Sequence, residues 1–260
     1  MANIAIIGDR GSGKTSVLRA LAEHSQKIQF EGGRNFAHTL YDPSTKNIAP
    51  TAVVQSHTKQ VVVALPNQRD AHLAFQWIDT PGEIWEDLAE FQSSSPAAFN
   101  GLMDQLSGCD AIILLLPPHT GLVSDATLNL LPTHLRPTER IKKPDQWVKN
   151  IQFWLDFFGN ERLRTIKHLI LSIHKADLFC QDSTFKEMVN LHIGKLHLEL
   201  RKKNQGYFNV AQRSLERFNG TDMGGKTEYF VTTTENIGVL ELPFLHLAAY
   251  LDYYDRLQPY

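Results

Sequence analysis

Eight residues near the start, Gly8-Asp9-Arg10-Gly11-Ser12-Gly13-Lys14-Thr15, constrain this 260-residue chain more than any other stretch. Their spacing is G-x-x-x-x-G-K-[ST], that of a phosphate-binding loop, and the flanks agree with it. Asn3 to Ile7 is a short apolar run that reads as a buried strand. Ser16 to His24 sets Val17, Leu18 and Leu21 on one face of a helix. Glycines at Gly8, Gly11 and Gly13 free the backbone to approach an anion, so that the amide groups and the helix N-terminus cradle it. Ser12 and Ser16 belong to the same cradle. Lys14 adds a point charge toward terminal phosphates, and the Thr15 hydroxyl is placed to ligate Mg2+.

Composition excludes some classes of function. The chain is 42% hydrophobic and 21% charged, ordinary for a soluble globular protein. A net charge of -2 provides no global field toward nucleic acid or anionic membrane, so no nucleic-acid partner is expected. Cys109 and Cys180 show neither metal spacing nor a disulfide framework, and a reducing cytoplasm suits them best. The first strand begins almost at once, which leaves no room for a signal peptide. The longest aliphatic run, Ala111 to Leu116, is too short to span a bilayer, so no integral membrane segment is expected.

Taken in order, the chain reads as strands alternating with helices. Gln26 to Pro50 is polar and rich in turn formers, and reads as a long, mobile connection. Ala52 to Leu65 and His72 to Ile78 form an early hairpin across the turn Pro66 to Asp70. The second of these strands ends in Asp79-Thr80-Pro81-Gly82-Glu83. Ile84 to Ser95 fits no single element, and Pro96 to Leu106 is a helix. Ala111 to Leu116 is a buried strand, and Pro117 to Pro144 an irregular insertion. Asp145 to Phe158 carries Trp147, Ile151, Trp154, Leu155 and Phe158 at helical spacing. With Phe153 and Phe157 added, that helix holds more aromatics than one inward face takes, which leaves room for a partner-docking surface. Lys167 to Ile173 is a strand and Thr184 to Lys203 is helical. Asn204 to Lys226 is an insertion with a helix from Val210 to Phe218. Glu228 to Thr232 is the last strand, and Pro243 to Leu257 the closing helix. This order predicts a single α/β domain over residues 1–260, with insertions near 26–50, 117–144 and 204–226. Its nucleotide belongs at the carboxyl ends of the strands.

Four motifs in the right order carry a resemblance. They are the loop Gly8 to Thr15, the D-x-x-G stretch Asp79 to Gly82, His174-Lys175-Ala176-Asp177, which is close to N-K-x-D, and Thr232-Thr233-Thr234. Together they resemble the G domain of P-loop GTPases of the translation-factor-related (TRAFAC) class, with Ras-like strand order. Within the class the chain is most similar to small bacterial or Ras-superfamily-like regulatory GTPases. The resemblance implies a three-layer P-loop NTPase fold. Its central sheet is mostly parallel, with one antiparallel strand from the early hairpin. It also implies GTP or GDP as ligand with Mg2+, slow hydrolysis, and a protein effector or activating partner that reads the switch loops. In that scheme Asp79 faces magnesium and the Gly82 amide meets the γ-phosphate. Asp177 accepts from the guanine edge, Lys175 packs on base and ribose, and Thr233 and Thr234 line the base. Thr51 is the expected switch threonine on magnesium, with Thr39, Thr45 and Thr58 as rivals.

The chain departs from that pattern at three places. His174 stands where the family carries asparagine, so a ring replaces the amide that braces the phosphate loop. Glu83 follows Gly82 where a water-orienting glutamine is usual; ionised glutamate only accepts hydrogen bonds and repels a γ-phosphate. Arg10 occupies a loop position that small residues usually keep open for an incoming arginine. Two other readings keep the phosphate loop and change the function: a nucleotide-holding subunit with little hydrolysis, and an ATPase or small-molecule kinase.

Overall fold

The computed structural model describes residues 2–9, 11–38, 55–65, 70–79, 88–130, 141–163, 166–194, 198–220 and 226–257. The sheet is built outward from β5 (Ala111–Leu116), an unbroken aliphatic run buried at every residue. Such a run suits a strand covered on both faces. β1 (Ala2–Gly8) lies parallel to it on one side and β6 (His168–Ile173) on the other. β7 (Lys226–Val231) continues the parallel set beyond β6. On the far side of β1 comes β4 (Asp70–Asp79), also parallel to it. Then follow β3 (Gln55–Ala64) and β2 (Ile28–Phe30), giving the order β2-β3-β4-β1-β5-β6-β7. β3 is antiparallel to both its neighbours and is the single reversed strand among those described. The expected mostly parallel sheet with one antiparallel strand from the early hairpin is therefore present.

Helices form the outer layers. α1 (Lys14–His24) buries Val17, Leu18 and Leu21, the face that its spacing selects. It packs against α2 (Gly33–His38) and α10 (Ile237–Leu257). α10 also lies on β3, β4 and β7 and meets α7 (Asp182–Gly194). α3 (Leu88–Ser94) precedes α4 (Pro96–Ser107), which buries Phe99, Leu102, Met103 and Leu106. After the short α5 (Asp125–Leu130) comes α6 (Pro144–Phe158). It packs with α9 (Gln212–Asn219), while α8 (Leu198–Gly206) lies against β7. Among the described residues, no helix is long and apolar enough to cross a membrane.

Several expectations change. The stretch from Gln26 is not one long connection: residues 28–30 pair with β3 as an edge strand, and 33–38 form α2. Part of the 117–144 insertion is helical, as α5. The closing helix starts six residues before Pro243, at Ile237, where the Asn236 side chain accepts the Val239 N–H at 3.1 Å. Asn236 caps the helix, and Pro243 lies inside it. The aromatics of α6 do not form a docking surface. Trp147, Trp154, Phe157 and Phe158 are all buried, and only Phe153 is half-buried. Trp154 stacks on Phe158 at 5.8 Å and meets Phe157 edge-on at 6.0 Å. Truncating such a tryptophan costs about 3–5 kcal/mol.

Candidate functional site

Parallel register places the motifs side by side. Gly8 pairs with Leu115, Leu116 with Ile173, and Ile173 with Val231. The segments that leave β1, β5, β6 and β7 therefore emerge together at one edge of the sheet. β4 ends there too: Ile6 is level with Trp77, so Asp79, two residues on, is level with Gly8.

The glycine loop is tightly wound. Gly11 and Gly13 take φ values of 68° and 94°, which side-chain-bearing residues rarely adopt. At Gly8 the reason for glycine is contact: a Cβ would lie 2.2 Å from the Leu115 carbonyl oxygen. Lys14 is buried and folds back over the loop, its Nζ donating to the carbonyls of Gly8 at 2.9 Å and Asp9 at 3.3 Å. Ser12 donates its N–H to the Asp9 carbonyl, and its fully buried hydroxyl has no partner among the described residues. Such an orphaned group is costly unless something else satisfies it. Thr15 and Ser16 follow in the first turn of α1, both half-buried.

The loop after β6 leans directly on the glycine loop. The His174 ring lies so close to Gly13 that a Cβ there would meet its Cδ2 at 2.6 Å. His174 Nδ1 shares a hydrogen bond with Thr232 Oγ1 at 3.0 Å, which shares another with Ser172 Oγ at 2.8 Å. The His174 N–H donates to the Leu116 carbonyl. Burial, and then the positive Lys175 beside it, push the imidazole down to about 3, so it stays neutral at physiological pH. Lys175 is the single non-glycine residue with positive φ among those described, at 62°. Strain of this kind gathers where surrounding structure fixes a functional loop. Asp177, exposed in the short 3-10 turn that follows, accepts the hydroxyl of Thr233, itself fully buried. Thr234, half-buried, follows Thr233 on the same loop.

The structure thus brings together Gly11, Ser12, Gly13, Lys14, Thr15, Ser16, His174, Lys175, Asp177, Thr233 and Thr234. Asp79 joins them by the place of its backbone at the end of β4. Arg10, Thr51, Gly82 and Glu83 lie outside the described residues. Hard oxygen donors at Thr15 and Asp79 suit Mg2+. Among the described residues no group of three or more His, Cys, Asp or Glu is placed to hold a metal ion.

Sequence reasoning passed over Asp9. Its carboxylate accepts the Trp154 indole N–H at 3.0 Å, the Asn150 amide at 2.7 Å and the Lys142 ammonium at 3.3 Å. It also passed over Ser172, which completes the chain of hydroxyls behind His174.

No family model matches the chain, and no curated protein matches it. A solved structure of a variant of the protein called SsGBP is similar at 14% identity, with a TM-score of 0.38. The likeness covers 96% of this chain and 56% of that one, so this chain spans little more than half of that protein's length. The fold stands instead on the strand order and register above.

Proposed function

We propose that the chain is a guanine-nucleotide-binding switch with Mg2+-dependent, slow hydrolysis of GTP, and that its nucleotide state governs a protein partner. The observation that carries this reading is the contact of His174 with Gly13. It joins the phosphate loop and the loop of Lys175 and Asp177 into one wall, so that phosphate-binding and base-reading groups serve a single ligand. The buried Lys14 ammonium and the Ser12 hydroxyl, which has no partner among the described residues, favour an anionic end for that ligand. Asp177 offers the acceptor that the two N–H donors of a guanine edge require; adenine lacks that pattern and would leave the carboxylate unmatched. Mg2+ would be held by Thr15, Asp79 and, from the switch segment, Thr51. When bound, it neutralises charge on the β- and γ-phosphates. Gly82 would sense the γ-phosphate through its amide.

The experiment is equilibrium binding of fluorescent GDP, with GTP and ATP as competitors, on the full chain and on Lys14→Ala. The expected result is displacement by GTP at concentrations at which ATP has no effect, and loss of binding in the variant. Equal competition by ATP overturns the choice of base. Phosphate release is then followed with Mg2+. Turnover of several per second without a partner contradicts the slow switch, since intrinsic rates of this type are roughly 10⁻⁴ per second. A nucleotide-holding subunit is the second reading, favoured by Glu83, which stands where a water-orienting glutamine is usual and whose charge would repel a γ-phosphate. Tight GTP binding with no phosphate release in a single turnover would select it.

A further inference from the structure

Asp9 faces two ways. Its backbone carbonyl accepts from the Lys14 ammonium and from the Ser12 N–H, so it belongs to the inner wall of the phosphate loop. Its side chain, only 13% exposed, points outward to α6 and to Lys142, two residues before the helix. There Oδ1 accepts from Trp154 Nε1, and Oδ2 accepts from Asn150 Nδ2 and Lys142 Nζ. Asn150 and Trp154 are four apart, so one face of α6 presents both donors. The helix itself is held in place: Trp147 donates its indole N–H to the Pro117 carbonyl at 2.8 Å, and the Lys142 carbonyl accepts from the Thr120 N–H. A carboxylate with three donors, one of them charged and two fixed on one helix, is rigidly set.

We infer that Asp9 is a positioning residue of the phosphate loop, and that through it α6 and Lys142 set how long the nucleotide stays bound. This rests on the reading of the loop as a nucleotide site. The carbonyl of Asp9 can aim the Lys14 ammonium only while its carboxylate is clasped. A loosened clasp lets the loop's first turn relax and shortens the dwell time. Lys142, about one-third exposed, is the part of the clasp within reach of a partner. An acidic group on a docking protein competes with Asp9 for that ammonium and speeds release.

The test is the dissociation rate of fluorescent GDP from the full chain, from Asn150→Ala, from Trp154→Phe and from Asp9→Asn, with Lys14→Ala as the control for the loop. Loss of one hydrogen bond to a charged acceptor is expected to speed release about tenfold in Asn150→Ala and in Trp154→Phe. Asp9→Asn keeps an oxygen for the indole but turns an amide toward Asn150 and Lys142, and is expected to speed release at least as much as either of those variants. Melting temperatures distinguish positioning from general damage: Asn150→Ala should melt within a few degrees of wild type while its release rate changes. Intrinsic tryptophan fluorescence gives a second signature, a nucleotide-dependent change in wild type that is reduced in Trp154→Phe. Wild-type release rates in both Asn150→Ala and Trp154→Phe, with Lys14→Ala unable to bind, overturn the inference and leave the nucleotide site standing. Failure of wild type to bind any nucleotide overturns both.

Discussion

The two halves of the site are held by opposite means. The half proposed to hold phosphate, the loop before α1, is shaped by glycines at positive φ and steadied from outside through Asp9. The half proposed to read a base, His174 to Asp177 with Thr232 to Thr234, is side chain with no glycine, steadied from inside by a chain of hydroxyls and an imidazole. A cradle for an anion needs bare amide groups, so bulk must stay out of it and the support must come from behind. On the proposed reading, a reader of a base needs fixed acceptors and donors, so it can be braced by the same kind of groups that would do the reading. The two halves meet where Gly13 lies against the His174 ring.

That point offers the most disruptive test. Gly13→Ala places a methyl at φ 94° and 2.6 Å from His174 Cδ2. Left-handed strain and overpacking each cost about 1–3 kcal/mol. The expected outcome is a fall of at least about a hundredfold in nucleotide affinity by titration of fluorescent GDP. Adding His174→Ala removes the collision but not the strain, so the double variant should recover part of the loss. If the double variant binds no better than Gly13→Ala, the contact between the halves is incidental.

The phosphate half was legible because its rule is local: glycines, Lys14 and Thr15 at fixed spacing between a strand and a helix. β5 was legible because Ala111 to Leu116 is apolar without a break, and α4 because Pro96 opens it and Phe99, Leu102 and Leu106 recur at helical spacing. β2 was not legible. Three residues carry no period, and Ile28 to Phe30 is extended only because β3 pairs with it. The brace on Asp9 was invisible for a related reason. Its donors lie 133, 141 and 145 residues away, and no local rule joins an aspartate in a loop to Asn150 and Trp154 on an aromatic helix. The aromatics themselves misled: counted on one helix they exceed an inward face, but α6 is covered on more than one side, and Trp147 meets both His119 and Phe208.

Acid separates the halves next. In the unfolded chain the His174 imidazole titrates near its ordinary value of 6.5, and in the fold it is held at about 3. The unfolded state therefore binds a proton that the folded state refuses. Its contribution to stability is full above pH 6.5 and is lost as pH falls toward 3, with a slope approaching about 1.4 kcal/mol per pH unit. Denaturant unfolding at pH 7, 6 and 5 should show this slope, and His174→Asn should reduce it by most of one proton. An unchanged slope in the variant means that the ring is not buried neutral against Gly13.

The smallest effect is expected at Lys175, and it bears on what the base half is for. Its φ of 62° costs a lysine about 1 kcal/mol, which glycine would not incur. If that conformation served only the turn, Lys175→Gly would be neutral in every respect. If the strain is kept because the lysine stem covers a base and ribose, the variant separates two properties. Its stability should stay within about 1 kcal/mol of wild type, glycine's looser unfolded chain offsetting the relief. Its preference for GDP over ADP, measured by competition, should fall several-fold. Unchanged preference together with raised stability would make Lys175 a strained turn residue only. Base reading would then rest on Asp177 and on Thr233, whose hydroxyl that carboxylate already holds.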